Sequence, residues 1–278
     1  MPMFHHRANR DRRFPSLNPG LRSLRPVALL AALAVLAGCA DHAYVGLPPG
    51  QPMRDITIPD GTTRNVPIGA SLVGVAYEEG RDRLFLRILP GTQLQEVDRR
   101  TGRRIRSFSA QQVPAGCGGF TPDEFPIQEC GLAMRYADRH LFLDHPSGLQ
   151  IAELDIDGRF VRNIRLAQTD GPIGGLAYDQ QTDTLYVLFI RSRMIDQIDL
   201  QGRRLRRLRA TNPQTGAAVT VERFGLGINS KRRELYLALH NGNRLGVFDM
   251  SGGLIATHNL NRSGLVPGVG GGRRYWFW

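Results

Sequence analysis

The side chains of this chain that could do chemistry are acids, histidines, amides and arginines in predicted loops. Carboxylate and amide oxygens suit a divalent cation such as Ca²⁺, and Asp, Glu and His can exchange protons with a substrate. No two of them stand at a spacing typical of a metal motif, so only the fold can assemble them into a site. The main candidates are Glu129, Asp144, His145, Arg191, Glu222, His240 and Asn241, and the same loops carry Asp170, Arg193, Arg223 and Asn243.

An internal repeat predicts how these loops are held. Each of four copies starts with a glycine; a leucine follows ten residues later, an aromatic eleven later, an aspartate twenty-four later, and a glycine soon after that. Repeats of this length indicate a repeat architecture, which must be recognised before any local pattern is interpreted. The four copies contain Gly74, Leu84, Phe85, Asp98 and Gly102; Gly131, Leu141, Phe142, Asp155 and Gly158; Gly175, Leu185, Tyr186, Asp199 and Gly202; and Gly225, Leu235, Tyr236, Asp249 and Gly252.

One copy, residues 175–209, contains four short apolar or alternating segments separated by polar and glycine turns. This pattern is typical of a four-stranded β-meander. Meanders that recur at intervals of roughly 40–50 residues are typical of β-propeller blades. The prediction is an all-β propeller of four-stranded blades, with a β-sandwich or a membrane barrel as the alternatives.

The two ends of the repeat region predict how the ring closes. A partial fifth copy starts at Gly264 and reaches Tyr275, while Arg54–Ile58 reads as a lone outer strand ahead of the first copy. Strands from both termini would then share one blade, which leaves no unpaired edge. The third strand of that blade stays unassigned, because Leu47-Pro48-Pro49 is poor strand sequence. We expect about five blades over residues 54–278, with a six-bladed ring as the alternative.

A propeller of this kind gathers the candidate residues on one face. Its first strands line the axis, and the connections from second to third strands and from fourth to next first strands share one end. The repeated aspartates, by contrast, are predicted to accept backbone N–H bonds and fix the glycine turns. The fourth strands are rich in arginine, which either blocks edge-to-edge pairing or contacts anions such as lipid phosphates.

The N-terminal segment resembles a bacterial lipoprotein signal. Six arginines precede the apolar stretch 26–35, and Leu36-Ala37-Gly38-Cys39 resembles a lipobox. The resemblance implies cleavage before Cys39 and a lipid on its sulfur, so that 1–38 is a signal peptide and 39–53 a lipidated tether. Without residues 1–38 the net charge falls from +11 to +6. We expect a cell-envelope protein, bound to the outer membrane and facing the periplasm, without a nucleic-acid partner.

Two further cysteines, Cys117 and Cys130, lie in the long insert between the first and second copies. An even pair in an oxidising compartment favours a disulfide. The alternative is a redox or metal pair, but neither a Cys-x-x-Cys spacing nor a nearby histidine cluster accompanies the two residues.

The stretch Gly175–Gly202 resembles the blades of NHL-repeat propellers and of the gluconolactonase and strictosidine-synthase-like group. That group implies a divalent metal held at the axis by Glu, Asn and Asp, and here only Glu129 stands at a comparable place. The leading expectation is therefore a lipid-anchored scaffold that binds an envelope protein or a small ligand. The alternative is a metal-dependent hydrolase of the lactonase or esterase type.

Overall fold

The computed structural model describes residues 41–45, 53–58, 60–68, 72–88, 91–114, 131–221, 225–239 and 244–259, all within the unit 41–278. These residues form strands and turns, with one short 3₁₀ turn at Glu79–Arg81. No helix among them is long and apolar enough to cross a membrane.

Four antiparallel sheets of four strands correspond to the four copies of the repeat, and the strands of each sheet follow one another in chain order. We call these sheets blades 1 to 4. Blade 1 contains β4 (Leu72–Glu78), β5 (Arg83–Ile88), β6 (Gln93–Asp98) and β7 (Arg104–Ser109). Blade 2 contains β8 (Leu132–Arg135), β9 (His140–Asp144), β10 (Gln150–Leu154) and β11 (Phe160–Arg165). Blade 3 contains β12 (Ile173–Asp179), β13 (Thr184–Phe189), β14 (Ile195–Ile198) and β15 (Arg204–Leu208). Blade 4 contains β16 (Gly227–Asn229), β17 (Glu234–Ala238), β18 (Arg244–Asp249) and β19 (Leu254–Asn259).

A fifth sheet precedes the first copy. It contains β1 (Asp41–Val45), β2 (Met53–Ile58) and β3 (Thr63–Val66), with β2 in the centre. The structure thus differs from the predicted lone outer strand at Arg54–Ile58, because β1 and β3 pair with it on both sides. Ala43 and Tyr44 are buried, so the sheet extends into the segment predicted as a tether. The C-terminal partial copy, from Gly264, lies outside the described residues.

Five apolar clusters close the ring, and each of them lies between two neighbouring sheets. Ala43 and Ile56 of the N-terminal sheet pack with Val247 of blade 4, while Tyr44 and Met53 pack with blade 1. The N-terminal sheet is therefore the fifth blade. The predicted five-bladed, all-β propeller is confirmed.

The repeated leucines and aromatics explain how neighbouring blades pack. All eight lie on the second strands β5, β9, β13 and β17, and each is at most 2% exposed. The first strands β4, β8, β12 and β16 contact one another in succession and so surround the axis. There Gly131 and Gly175 allow close approach, because a Cβ on Gly131 would lie 2.6 Å from the side chain of Leu176.

The repeated aspartate and glycine form the turn between the third and fourth strands, as predicted. Asp199 Oδ1 accepts hydrogen bonds from the backbone nitrogens of Gln201 and Arg203 at 3.0 and 2.9 Å. The glycine that follows has positive φ and presses on the outer strand of the preceding blade; at Gly202 a Cβ would overlap with the carbonyl oxygen of Arg165. Gly102, Gly158 and Gly252 likewise press on backbone carbonyl oxygens of the preceding blade, while Gly61 meets the side chain of His258 in blade 4. Each of the five pairs of neighbouring blades thus has a glycine contact of this kind.

Consecutive strands are antiparallel, so the ring has two unlike ends. We call one end the turn face: it carries turns 79–82, 136–139, 180–183 and 230–233 after the first strands, and turns 99–103, 155–159, 199–203 and 250–253 after the third strands. We call the other end the loop face: its described segments are 91–92, 145–149 and 190–194, which follow the second strands. The segments that follow the fourth strands start at the circumference of the ring, because Gln111, Ala167 and Thr211 donate to carbonyl oxygens in the glycine turns of the next blade.

Candidate functional site

The structure places three of the seven main candidates on the loop face: Asp144, His145 and Arg191. Asp144 ends β9, His145 follows it directly, and Arg191 lies in the next loop of this type. The other four, Glu129, Glu222, His240 and Asn241, lie outside the described residues. So do Cys39, Cys117 and Cys130, and the lipid and the disulfide stay predictions.

Asp144 belongs to a fully buried ion pair between blades 1 and 2. Its partner is Arg87 of β5, and both side chains are 0% exposed. Arg87 Nη1 donates to Asp144 Oδ1 at 2.5 Å and to the carbonyl oxygen of Gly131 at 3.0 Å. Arg87 Nε donates to the carbonyl oxygen of Gly91 at 2.7 Å, and the backbone nitrogen of Gly131 donates to Asp144 Oδ1 at 2.7 Å. The pair thereby fixes the start of the axial strand β8.

The electrostatics of this pair follow from its burial. Burial lowers the pKa of Arg87, and the carboxylate of Asp144 acts against that effect. An arginine and an aspartate that are both removed from water are stable together only when their hydrogen bonds are satisfied. Asp144 Oδ1 accepts from both Arg87 and Gly131, so Asp144 has a structural role at this junction. Its role in binding a ligand stays a prediction.

The internal repeat provides a control for this pair. The position of Arg87 and Asp144 in their second strands is occupied by Leu188 in blade 3 and Ala238 in blade 4, both buried. The fold therefore does not require a charge there. Residues that break a local rule without being needed for the fold are candidates for function. The two charges mark the junction of blades 1 and 2, where the insert with the two cysteines also lies in the sequence.

Arg87 was not among the candidates from the sequence, although the sequence holds the signal for it. Aligning the four copies on their leucine and aromatic puts a single arginine among positions that are otherwise aspartate, leucine and alanine. Interpretation of the loops alone missed it, because Arg87 lies within a strand whose other residues are typical of a buried β-strand.

His145 lies at the edge of the same junction and is partly buried. Its Nδ1 accepts a hydrogen bond from the backbone nitrogen of Ser147 at 3.1 Å. Burial lowers the pKa of His145; Asp144 opposes this effect and the charge of Arg87 adds to it. The imidazole is therefore neutral at neutral pH. Because its Nδ1 accepts from Ser147, the proton is on Nε2, and the ring offers this N–H to a ligand.

The charged residues in the loops before and within blade 3 are more exposed than the Arg87–Asp144 pair. The Asp170 carboxylate is paired with Arg207 Nη1 of β15 at 2.9 Å. The Arg191 side chain runs over Gly171, where a Cβ would meet its Cδ at 3.2 Å. Arg191 and Arg193 belong to an exposed and partly exposed hairpin between β13 and β14, which extends the loop face from blade 2 to blade 3.

A second charged cluster lies on the turn face, in blade 2. Ligand atoms of Asp138, His140 and Glu153 lie within 4.8 Å of one another, a grouping that could hold a metal ion. Arg135 already supplies the positive charge: its Nη2 donates to Glu153 Oε1 at 2.7 Å and to Asp138 Oδ2 at 2.5 Å. Arg162 Nε donates a hydrogen bond to Glu153 Oε2 at 2.6 Å. Despite its burial, Glu153 has a lowered pKa because His140 and the two arginines stabilise its charge, and the cluster is explained as a structural ion network.

Hydrogen bonds and ion pairs on the turn face join four of the five pairs of neighbouring blades. Arg99 of blade 1 reaches Asp55 of the N-terminal sheet at 3.1 Å. Lys231 of blade 4 pairs with Glu79 of blade 1, the two blades on either side of the N-terminal sheet. The other junctions contain Arg139–Glu78 at 2.8 Å, Gln180 to the carbonyl oxygen of Met134 at 2.7 Å, and Arg233–Asp179 at 2.5 Å. Side chains of the described residues therefore connect the four complete blades at this end of the axis.

Comparison with known proteins supports the fold. No protein-family model matches the chain, and no curated protein matches it. A chain in the crystal structure of a nidogen/laminin complex is similar with a TM-score of 0.52 and 12% identity, over 78% of this chain and 93% of that chain. A protein of unknown function from Bacteroides caccae has a TM-score of 0.45 and 12% identity, over 80% of this chain and 73% of that chain. At these identities the first likeness shows the β-propeller fold, and that is the level at which the chain is identified.

Proposed function

We propose that this protein is a lipid-anchored β-propeller of the bacterial cell envelope that acts as a binding scaffold. Its binding surface is the loop face at the junction of blades 1 and 2, and its partner is an envelope protein or a small ligand. The anchor is a lipid on Cys39, for which the Leu36-Ala37-Gly38-Cys39 sequence is the support. The location is the outer membrane, facing the periplasm.

The observation that carries the binding role is the Arg87–Asp144 pair. Its two residues occupy a position that is apolar in blades 3 and 4. Its hydrogen bonds hold Gly131, the residue that follows the cysteine-containing insert in the sequence. A rigid scaffold under a variable loop is a common basis for recognition. His145 and the exposed Leu149 lie on the same side of this junction.

The binding role is tested by site-specific photo-crosslinking in cells with the full-length chain. A photoreactive amino acid replaces Leu149 on the loop face or, as the matched control, exposed Gln201 on the turn face. The proposal expects a discrete adduct from position 149 that is absent at position 201. Equal adducts at both positions, or none at position 149, would contradict a partner on the loop face.

The anchor is tested separately by labelling cells with a palmitate analogue. The wild-type chain is expected to carry the label and to fractionate with membranes, and Cys39→Ser is expected to lose both properties. Retention of the label in that variant would contradict acylation at Cys39.

The described loop-face residues hold no group of three metal-ligating side chains, and Asp144 Oδ1 is engaged by Arg87 and Gly131. The prediction of a calcium site rests on residues outside them, Glu129 above all. A thermal melt in EDTA and then in millimolar calcium tests it, since a ligand at about 100 times its Kd adds about 2.7 kcal/mol of stability. A rise in Tm that is lost in Glu129→Gln would identify Glu129 as a metal ligand and would favour the metal-dependent hydrolase.

A further inference from the structure

The hairpin between β13 and β14, residues 190–194, holds an arginine in a backbone conformation that favours glycine. Arg193 has φ +56°, in the left-handed region that a residue with a Cβ rarely adopts. The backbone nitrogen of Arg193 donates to the carbonyl oxygen of Phe189 at 2.9 Å, and the nitrogen of Phe189 donates to the carbonyl oxygen of Met194 at 3.0 Å. The hairpin thus imposes this conformation on Arg193.

The internal repeat shows which residue the fold favours at this position. Arg193 stands two residues before the third strand of blade 3. The corresponding residues are Gly91 in blade 1 and Gly148 in blade 2, with φ +100° and +66°, and the sequence has Gly242 at the same place before the third strand of blade 4. Glycine adopts positive φ without strain. An arginine that breaks this local rule is expected to serve function rather than folding.

Two other arginines among the described residues have positive φ, and an acid holds each of them. Arg139, with φ +60°, pairs with Glu78 at 2.8 Å. Arg233, with φ +59°, pairs with Asp179 at 2.5 Å. Both pairs join neighbouring blades at the turn face, which explains why these arginines are kept. Arg193 has no ion pair with a described residue, so a contact within this part of the chain does not explain it.

A second arginine lies on the same hairpin. Arg191 is exposed and likewise has no ion pair with a described residue. Its aliphatic part lies over Gly171, where a Cβ would stand 3.2 Å from Arg191 Cδ. Between the two arginines, the exposed Ser192 accepts a hydrogen bond from the backbone nitrogen of Met194 at 3.3 Å, which leaves its hydroxyl proton to donate. The hairpin therefore offers two guanidinium groups and a hydroxyl.

The acids that flank this hairpin are already neutralised. Asp170, which precedes Gly171, pairs with Arg207 Nη1 at 2.9 Å. Asp196, on the strand that follows the hairpin, pairs with Arg207 Nε at 2.7 Å and with Arg204 Nη1 at 3.4 Å. The two arginines of the hairpin thus keep an uncompensated positive charge among the described residues. An anion placed between them would relieve their mutual repulsion.

The hairpin is continuous with the surface that contains His145. Thr169 Oγ1 lies 2.9 Å from the carbonyl oxygen of Gly171 and 3.4 Å from that of Gly148. It thereby connects loop 145–149 to the segment that the side chain of Arg191 covers. His145, in the same loop, offers an N–H. The described part of this surface therefore presents donors and positive charge to a ligand.

We propose that the hairpin 190–194 binds an anionic oxygen group, a carboxylate or a phosphate, between the guanidinium groups of Arg191 and Arg193. A guanidinium presents paired N–H donors that match two oxygens of such a group. The inference rests on the proposal that the loop face is the binding surface, and it names the chemistry of the ligand there. Arg193 keeps its unfavourable conformation because the ligand requires its side chain.

The test measures the Tm of the full-length protein in detergent with sodium phosphate or sodium acetate, while sodium chloride keeps the ionic strength constant. A ligand that binds the folded state raises the Tm, and we expect a rise of about 3 °C or more in at least one of the two salts. A response to phosphate alone identifies a phosphate group, and a response to acetate alone identifies a carboxylate. No rise in either salt would overturn the proposal.

Two glycine variants separate binding from stability. Arg193→Gly copies blades 1 and 2; we expect it to lose the response to the anion, while its Tm in sodium chloride stays the same or rises. Arg139→Gly is the matched control, because it removes another arginine with positive φ; it should lower the Tm in sodium chloride and keep the response. An undiminished response in Arg193→Gly, or a loss of Tm equal to that of Arg139→Gly, would overturn the assignment.

The outcome is also distinguishable from failure of the proposed binding role. A discrete photo-crosslinked adduct from position 149, together with no response to either anion, would overturn the anionic ligand and leave the loop face as the binding surface.

Discussion

The turn face and the loop face are built from the same strands, yet they follow different rules. At the turn face each blade repeats one device, an aspartate that holds a turn and a glycine that presses on the preceding blade. At the loop face the blades differ in connection length and in the residue that ends the second strand. The contrast teaches that the repeated turns join neighbouring blades, while the loops at the other face can differ from blade to blade without loss of the fold.

Charge follows the same division. Ion pairs at the turn face are many and mostly partly exposed, and exposed pairs individually contribute little to stability. At the loop face, among the described residues, the Arg87–Asp144 pair has both of its side chains completely buried. Loss of one partner from such a pair leaves an uncompensated buried charge, so the loop end is the more vulnerable of the two to a single substitution.

The largest effect is therefore expected at Arg87. Arg87→Leu introduces the residue that blade 3 carries but leaves Asp144 charged and buried, and we expect a loss of about 3–5 kcal/mol in the free energy of unfolding. Urea unfolding of the soluble domain measures it. The double variant Arg87→Leu/Asp144→Ala, which copies blades 3 and 4, should lose less than the single variant. A loss below about 1 kcal/mol in Arg87→Leu would show that the pair does not hold the junction.

The predicted disulfide should have the next largest effect. A loop of about 14 residues closed by Cys117 and Cys130 adds about 3 kcal/mol in the chain-entropy model. Cys117→Ser/Cys130→Ser should lower the urea midpoint, and reductant should then have no further effect. An unchanged mass after alkylation of unreduced protein is expected; alkylation of both thiols would contradict the bond.

At the turn face, Gly202→Ala is expected to lose about 2–3 kcal/mol. Part of this is the penalty for positive φ, about 1–2 kcal/mol, and the rest is overlap with the carbonyl oxygen of Arg165. Gly216→Ala in segment 209–221 is the matched control: Gly216 also has positive φ, at +68°, but nothing lies within 4 Å of a Cβ built there. Equal losses in the two variants would mean that contact with the preceding blade contributes nothing.

The smallest effect is a pH dependence of the loop face. The folded state lowers the pKa of His145, so His145 contributes stability above its unfolded pKa of about 6.5 and loses it as the pH falls through the folded pKa. The partly exposed ring is screened by water, which keeps this below about 1 kcal/mol. Urea unfolding at pH 7.5 and 5.5 should show a smaller difference for His145→Gln than for the wild type. An identical difference would exclude His145 as the source.

The sequence predicted the turn face better than the loop face, for a physical reason. Four positions of the repeat recur at fixed offsets because they make the same contacts in each blade; in blade 3 they are Leu185, Tyr186, Asp199 and Gly202. Such residues can be recognised from the sequence because they are repeated. Arg87 occurs once and acts on a residue of another blade, so its role depends on a contact that no local pattern contains. The strand Asp41–Val45 escaped prediction because a proline-rich stretch follows it, although Ala43 and Tyr44 are buried like residues of any inner strand.

The position of the N-terminal sheet also fixes the order in which the ring can be completed. Ala43 and Ile56 are made early in synthesis, but their packing partners on one side, Tyr236 and Val247, belong to the last complete blade. Contacts between such distant parts of a chain form slowly, because a long loop must close first. A growing chain therefore stays open until nearly all of it has been made. In the exported lipoprotein that we propose, late closure would keep the early segments available to the export machinery.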